Sequence, residues 1–221
     1  MLSNSEIQRY SRQIIIPEIG PTGQSNIKNT SILVIGCGGI GSPCIMYLAA
    51  AGTVNLGIID HDTLDISNLH RQVIHNHNHI GKSKTESASS FIKNLNPNVS
   101  CKAYNLLLTA DNILDIIKDY DIILDATDNV ASRDLINDAC VLSKKPLISG
   151  SALKLNAQLT TYNYKSGPCY RCINPIPPPP STIQNCGDAG ILGAVVGVVG
   201  SMMAIEALKI AMGYDGIIYI I

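Results

Sequence analysis

The chain reads as an α/β protein, with a doubly wound, mainly parallel sheet, an antiparallel extension and a Pro-rich crossover loop. Three observations lead there. Near-continuous apolar runs of strand length at 31–36, 54–60, 121–126 and 146–151 alternate with helix-like stretches at 41–51, 83–94, 111–118 and 131–143. Such runs suit strands buried on both faces of a parallel sheet, and the strand–helix alternation implies crossover units. The first run passes directly into Gly36-Cys37-Gly38-Gly39-Ile40-Gly41, a turn that lets the backbone approach a phosphate at the N-terminus of the next helix. Beyond residue 151 the pattern changes to NAQLTTYNY at 156–164, whose polar–apolar alternation fits a half-exposed antiparallel strand. Together these make a Rossmann-like sheet.

The elements follow in order. Residues 4–13 read as one short amphipathic helix with Arg9 and Arg12 three residues apart; spacing alone makes those arginines a solvated face. The second strand, within 54–60, ends on Asp60. A further strand, 99–104, follows the Asn96-Pro97-Asn98 break. After the antiparallel strand comes 169–187, which contains Pro177-Pro178-Pro179-Pro180; it cannot be helix at the prolines and is expected to run extended. A Gly-punctuated apolar helix then covers 189–212. Its length would allow a membrane span, but Asp188, Glu206 and Lys209 favour a buried helix, and no membrane partner is expected. The chain stops on GIIYII, a strand with no turn or polar tail, and so reads as a single domain over 1–221, cut at its C-terminus.

With 221 residues and 46% hydrophobic content, the chain can bury one sizeable core. A net charge of −1 and no basic run exclude nucleic acid as the main partner. No basic start is followed by an apolar stretch, so no secretory signal is visible. Seven cysteines, scattered through apparent strands and helices, fit a reducing, cytoplasmic compartment rather than a disulfide framework.

The glycine loop followed by an acid roughly 20 residues on is compatible with a dinucleotide. Two further observations turn the reading away from hydride transfer and from a P-loop. None of the nine tyrosines has Lys four positions later, and Gly81-Lys82-Ser83 has Asn76 where a P-loop needs glycine. Instead Asp60-His61-Asp62, Ser67-Asn68-Leu69-His70-Arg71-Gln72, Gly81-Lys82-Ser83-Lys84 and Asp125-Ala126-Thr127-Asp128-Asn129 all leave the carboxyl ends of strands, the edge where open α/β sheets bind ligands. They offer an acid for ribose (Asp60), polar and cationic groups for phosphates (Asn68, Arg71, Lys84) and a carboxylate suited to Mg²⁺ (Asp128). Asn68 could instead cap a turn, Lys84 could be a surface charge, and Asp128-Asn129 could cap the helix at 131. Convergence on one sheet edge favours function.

RYSRQ at 9–13, GCGGIGSP at 36–43, SNLHRQ at 67–72, DATDN at 125–129 and CYRC at 169–172 occur together in this order. In this the chain resembles, over essentially its whole length, the ThiF/MoeB/HesA family of adenylyltransferases related to ubiquitin-activating enzymes. The stretch PCYRCINPIPPPP is similar to the eukaryotic molybdopterin-synthase adenylyltransferase/sulfurtransferase type. The resemblance implies ATP-dependent adenylation of the C-terminal Gly-Gly carboxylate of a ubiquitin-like sulfur carrier, used for molybdopterin or tRNA thiolation. It implies that Gly39 and Gly41 belong to the loop that approaches the phosphates and that Asp60 holds the ribose. The segment Ser67, Asn68, Leu69, His70 and Arg71, together with Lys84, would bind the triphosphate, and Asp128 and Asn129 would sit at the Mg²⁺. Arg12 would reach into the partner subunit's site of a homodimer, which reverses the spacing-only reading of it. Arg71, Asp128 and Cys186 are the implied catalytic residues. Two other readings are a ubiquitin-like-protein activator that passes its cargo on as a thioester through Cys186, and an idle nucleotide-binding scaffold.

Cys169 and Cys172 have the spacing of half a structural Zn²⁺ site; the family's second Cys-x-x-Cys pair is absent from this chain. A redox pair is the rival, but it would be expected to open a helix in a thioredoxin-like βαβ context. Cys186, just ahead of a helix, is placed for a lowered pKa. Cys37, Cys44, Cys101 and Cys140 read as small buried hydrophobes. The resembled type carries a C-terminal rhodanese domain to deliver sulfur; none is seen in this chain, which leaves a sulfurtransferase in trans as one source of sulfur.

Overall fold

The computed structural model describes residues 2–176 and 189–214. Its strands are β1 (Ser31–Ile35), β2 (Asn55–Ile59), β3 (Ser100–Tyr104), β4 (Ile122–Asp125), β5 (Leu147–Leu153) and β6 (Asn156–Tyr162), in one sheet of order β3-β2-β1-β4-β5-β6. All neighbours are parallel except β5 and β6, an antiparallel hairpin in register from Leu147 opposite Tyr162 to Leu153 opposite Asn156. The helices are α1 (Asn4–Arg9), α2 (Ser11–Ile14), α3 (Gly20–Asn29), α4 (Gly41–Ala51), α5 (Lys84–Leu95), α6 (Ile113–Ile117), α7 (Val130–Leu142), α8 (Tyr170–Ile173) and α9 (Gly193–Met212).

The continuous hydrophobicity of β1 has a direct cause. Ile32 and Val34 enter one core with Ile45 and Leu48 of α4, Ile92 of α5 and Val199 and Met203 of α9. Leu33 and Ile35 enter a second core with Ile113, Ile116 and Ile117 of α6 and Ile136 of α7. A strand between two helical layers has no polar face to show, and each such side chain buried contributes about 1.5–3 kcal/mol.

Three features differ from the sequence expectation. The N-terminal helix breaks at Tyr10, whose backbone (φ −98°, ψ 13°) caps α1 and starts α2. Tyr10 is buried, and its hydroxyl accepts from Asn96 Nδ2 at 2.9 Å; this anchor outweighs helical continuity. The helix α3 was not foreseen, because GPTGQSNIKN carries two glycines and one large apolar residue. It is held by tertiary contacts, among them Gln24 Nε2 donating to the Ala51 carbonyl at 2.8 Å. Within the stretch expected to run extended, Tyr170–Ile173 instead forms a helical turn, its first N–H donated to Asn137 Oδ1 of α7 at 2.8 Å. The proline run and the terminal GIIYII lie outside the described residues.

Among the described residues α9 alone is long and apolar enough to cross a membrane, by length and composition only. It packs on α4, β5 and β6. Gly200 sits where a Cβ would overlap the Ile40 carbonyl oxygen, so α9 can lie against the N-terminus of α4. Glu206 is fully buried on this helix and accepts from Lys209 Nζ at 2.7 Å.

Candidate nucleotide-binding site

The sheet order changes direction between β1 and β4, and the carboxyl ends of β1, β2 and β4 open there into a cavity of about 760 Å³. This is the switch point at which open α/β sheets bind ligands. Gly39, Asp60, Asn68, Arg71, Lys84, Asp128 and Asn129 all line it.

The floor is the turn from β1 into α4. Gly36 has φ +99°, and a Cβ on Gly41 would overlap its carbonyl oxygen, so both positions require glycine for the turn to close. Gly41 is buried and does not line the cavity; its part is this close approach rather than ligand contact. Asp60, at the exit of β2, is tied to the same turn: Oδ2 accepts the Cys37 N–H at 2.8 Å and Oδ1 the Asp62 N–H at 2.9 Å. Each carboxylate oxygen keeps a lone pair for a ligand hydroxyl.

A 3₁₀ turn, Ile66–Asn68, supplies the next groups. Asp65 Oδ1 accepts the Ser67 N–H at 2.8 Å, and Asn68 Oδ1 returns a bond from the Asp65 N–H at 3.1 Å. The Ser67 bonds hold the Asp65 carboxyl below its ordinary range. Arg71 Nη1 donates to the Ser67 carbonyl at 3.1 Å and to His70 Nε2 at 2.7 Å. Ser67, Leu69 and His70 do not line the cavity; Ser67 and His70 stand one step back, gripping the arginine that does. Lys84 opens α5, is 7% exposed, and donates to Asp62 Oδ2 at 2.7 Å. Burial pushes the Asp62 carboxyl up, but the Lys84 bond and charge outweigh it and the net shift is downward.

The last group comes from the loop after β4. Asn129 caps α7, its Oδ1 accepting the Ser132 N–H at 2.8 Å. Asp128 is exposed and makes no hydrogen bond or ion pair to any described residue. A free carboxylate on a cavity wall is a fitting oxygen donor for a hard cation such as Mg²⁺.

Two groups of the cavity, Arg133 and Gln72, had no role in the sequence reading. Arg133, on α7, lines it and pairs with the fully buried Asp125, Nε to Oδ2 at 3.0 Å. Burial lowers the Arg133 pKa, but the Asp125 charge and hydrogen bond outweigh it and the net shift is upward. In sequence Asp125 shows as the acid that closes an apolar run and opens DATDN, and Arg133 only as an arginine one turn into the next helix. Gln72 is 3% exposed at the wall, and its Oε1 meets no partner among the described residues, leaving an acceptor open to a ligand or water.

The remaining sequence candidates lie elsewhere. Arg12 is exposed on α2, outside the cavity lining. Cys169 and Cys172 bring their sulfurs within 3.4 Å at the head of α8. Burial raises the Cys169 thiol, but hydrogen bonds from Cys172 and from the Cys172 and Arg171 N–H groups outweigh it and lower its pKa. Two adjacent cysteine sulfurs on one turn fit two corners of a tetrahedral zinc site. Cys37, Cys44 and Cys140 are buried, as small hydrophobes should be, and Cys101 is half-buried. Cys186 lies outside the described residues.

The adenylyltransferase and sulfurtransferase MOCS3 of Culex quinquefasciatus is 54% identical over 217 residues, covering 98% of this chain and 50% of the relative. That of Danio rerio is 52% identical over 214 residues, covering 97% and 47%. The chain thus spans about half the length of the curated relatives it matches. Among solved structures, PaaA superposes with a TM-score of 0.83 at 21% identity, over 99% of this chain and 69% of that one. E. coli MccB crystallised with ATP gives 0.77 at 23% identity, over 88% and 60%. These two likenesses bear on the fold. The ThiF family model matches residues 10–219, nearly the whole chain, and the chain belongs to the ThiF family.

Proposed function

We propose that the chain adenylates the C-terminal Gly-Gly carboxylate of a ubiquitin-like sulfur carrier with ATP, giving the carrier acyl-adenylate and pyrophosphate before sulfur is installed. The observation that carries this is the convergence of one ribose-type acid, Asp60, two cations, Arg71 and Lys84, and one unpartnered carboxylate, Asp128, in one cavity. The names borne by the MOCS3 relatives, adenylyltransferase and sulfurtransferase, support the same chemistry.

A carrier carboxylate oxygen attacks the α-phosphorus of ATP. The bond from that phosphorus to the bridging oxygen of the β-phosphate breaks, and pyrophosphate leaves with its electron pair. Both reactants are anions, so repulsion is the first barrier. Arg71 and Lys84 lower it by lining the phosphate path with positive charge, pre-set by their bonds to Ser67, His70 and Asp62. No general base is needed, because a carboxylate is already ionised near neutral pH. Positioning and electrostatics therefore supply most of the rate. Mg²⁺ bound with the nucleotide, which Asp128 would help hold, supplies further positive charge at the leaving phosphates. In the same reading Cys169 and Cys172 contribute half of a structural zinc site, Arg12 serves the partner subunit of a homodimer, and the reaction runs in the cytoplasm.

ATP–pyrophosphate exchange with candidate carriers ending in Gly-Gly tests the proposal. Carrier-dependent exchange is expected; its absence with every carrier would refute it. Zinc titration separates the two readings of the cysteine pair: added zinc should bind the wild type through the pair and should not bind a Cys169→Ser, Cys172→Ser double variant at that site.

A further inference from the structure

Asp125 closes β4 and is 0% exposed. Its Oδ1 accepts both the Thr127 N–H at 3.0 Å and the Thr127 hydroxyl at 2.6 Å, and its Oδ2 accepts Arg133 Nε at 3.0 Å and the Ser149 hydroxyl at 2.8 Å. Arg133 Nη2 also donates to the Thr127 carbonyl at 3.4 Å. Thr127 is thereby held at its N–H, its hydroxyl and its carbonyl, while the next residue, Asp128, touches no polar partner among the described residues. A buried ion pair is poor evidence for stability, since desolvation offsets most of its Coulomb energy. Fully satisfied buried networks do fix a unique local geometry, and here the element fixed is the loop that carries the free carboxylate.

We propose that Asp125, acting through Thr127 and Arg133, is a positioning residue that presents Asp128 to the cavity. The role given to Asp128 rests on the adenylation reading. Asp125 makes none of these bonds to the turn from β1 into α4 or to Asp60, so its loss should weaken the Mg²⁺-dependent part of nucleotide binding more than the Mg²⁺-free part.

Calorimetric titration of the full chain with ATP, with and without Mg²⁺, tests this. The tightening of ATP binding by Mg²⁺ should be lost in Asp128→Ala and should fall about tenfold or more in Asp125→Asn and Thr127→Val, the worth of roughly one hydrogen bond to a charged group. Mg²⁺-free affinity should fall less than the Mg²⁺ effect in Thr127→Val, because the lost hydroxyl bonds Asp125 and neither the turn from β1 into α4 nor Asp60. Ser149→Ala removes a bond to the same carboxylate without touching the loop, and should lower Tm while keeping the Mg²⁺ effect. Because Asp125→Asn leaves the buried Arg133 without its counter-charge and could prevent folding, Thr127→Val decides alone if necessary. An unchanged Mg²⁺ effect in Thr127→Val would overturn the positioning role by itself. A wild-type chain that binds no ATP would overturn the adenylation reading and this role together.

Discussion

Asp128 and Arg71 differ in how much the protein invests in holding them. Arg71 is fixed by the Ser67 carbonyl and the His70 ring, so its charge is delivered without reorganisation at the moment of reaction. Arg71→Ala should lower kcat/KM for exchange by about 10²–10³, the usual cost of removing one preorganised donor. His70→Ala should act more mildly and in the same direction, and steady-state exchange kinetics measure both. Asp128→Ala should abolish exchange with Tm nearly unchanged, because an exposed residue without partners contributes little to stability; undiminished turnover would refute its role. At this scale Asp60, Asn68, Arg71, Lys84 and Asp128 were legible in sequence, because each is a polar residue just past an apolar run or a turn. Asp125 was read within its segment without a role of its own, and Arg133 was not read at all. An arginine inside a helical stretch looks the same in sequence whether it faces water or a buried acid; only the packing of α7 on β4 decides.

Among the elements, α1 shows what local signals carry and what they omit. Ser3 and Glu6 form a reciprocal capping box, Ser3 N–H to Glu6 at 2.7 Å and Glu6 N–H to Ser3 Oγ at 3.3 Å, and Lys28 of α3 reaches Glu6 at 2.8 Å. The Lys28 bond foremost, then the Ser3 N–H, draw the Glu6 carboxyl from 4.5 down to about 2. A carboxyl depressed in the folded state adds stability that is complete above its ordinary pKa and is lost as pH falls through the folded value. The wild-type Tm should therefore drop between pH 4.5 and about 2. Glu6→Gln, which keeps the reciprocal cap but loses the charge pair with Lys28, should be less stable near neutrality by up to about 1 kcal/mol, and should show a flatter pH profile over that range. Differential scanning calorimetry reads both, and parallel profiles would rule the pair out. The strands and α4, α5 and α7 were legible from apolar runs and caps, whereas α3, α8 and the break at Tyr10 depend on partners distant in sequence: Ala51, Asn137 and Asn96.

At the scale of the molecule, α4 sets a distance. Its N-terminus meets the cavity through the glycine turn, while its C-terminus is where Gln13 Nε2, next to Arg12, donates to the Ala51 carbonyl at 3.2 Å. Eleven helical residues separate the two ends, about 16 Å at 1.5 Å per residue, beyond the reach of one arginine side chain. If Arg12 serves a nucleotide site, that site belongs to another copy of the chain. A two-fold dimer makes this testable by mixing two dead variants, Arg12→Ala and Asp128→Ala, by co-expression. Random pairing gives half mixed dimers, each with one complete site, the Arg12→Ala subunit's own, so about a quarter of wild-type exchange activity should return. Activity no higher than either variant alone would show that Arg12 does not act across subunits, and would remove it from the site.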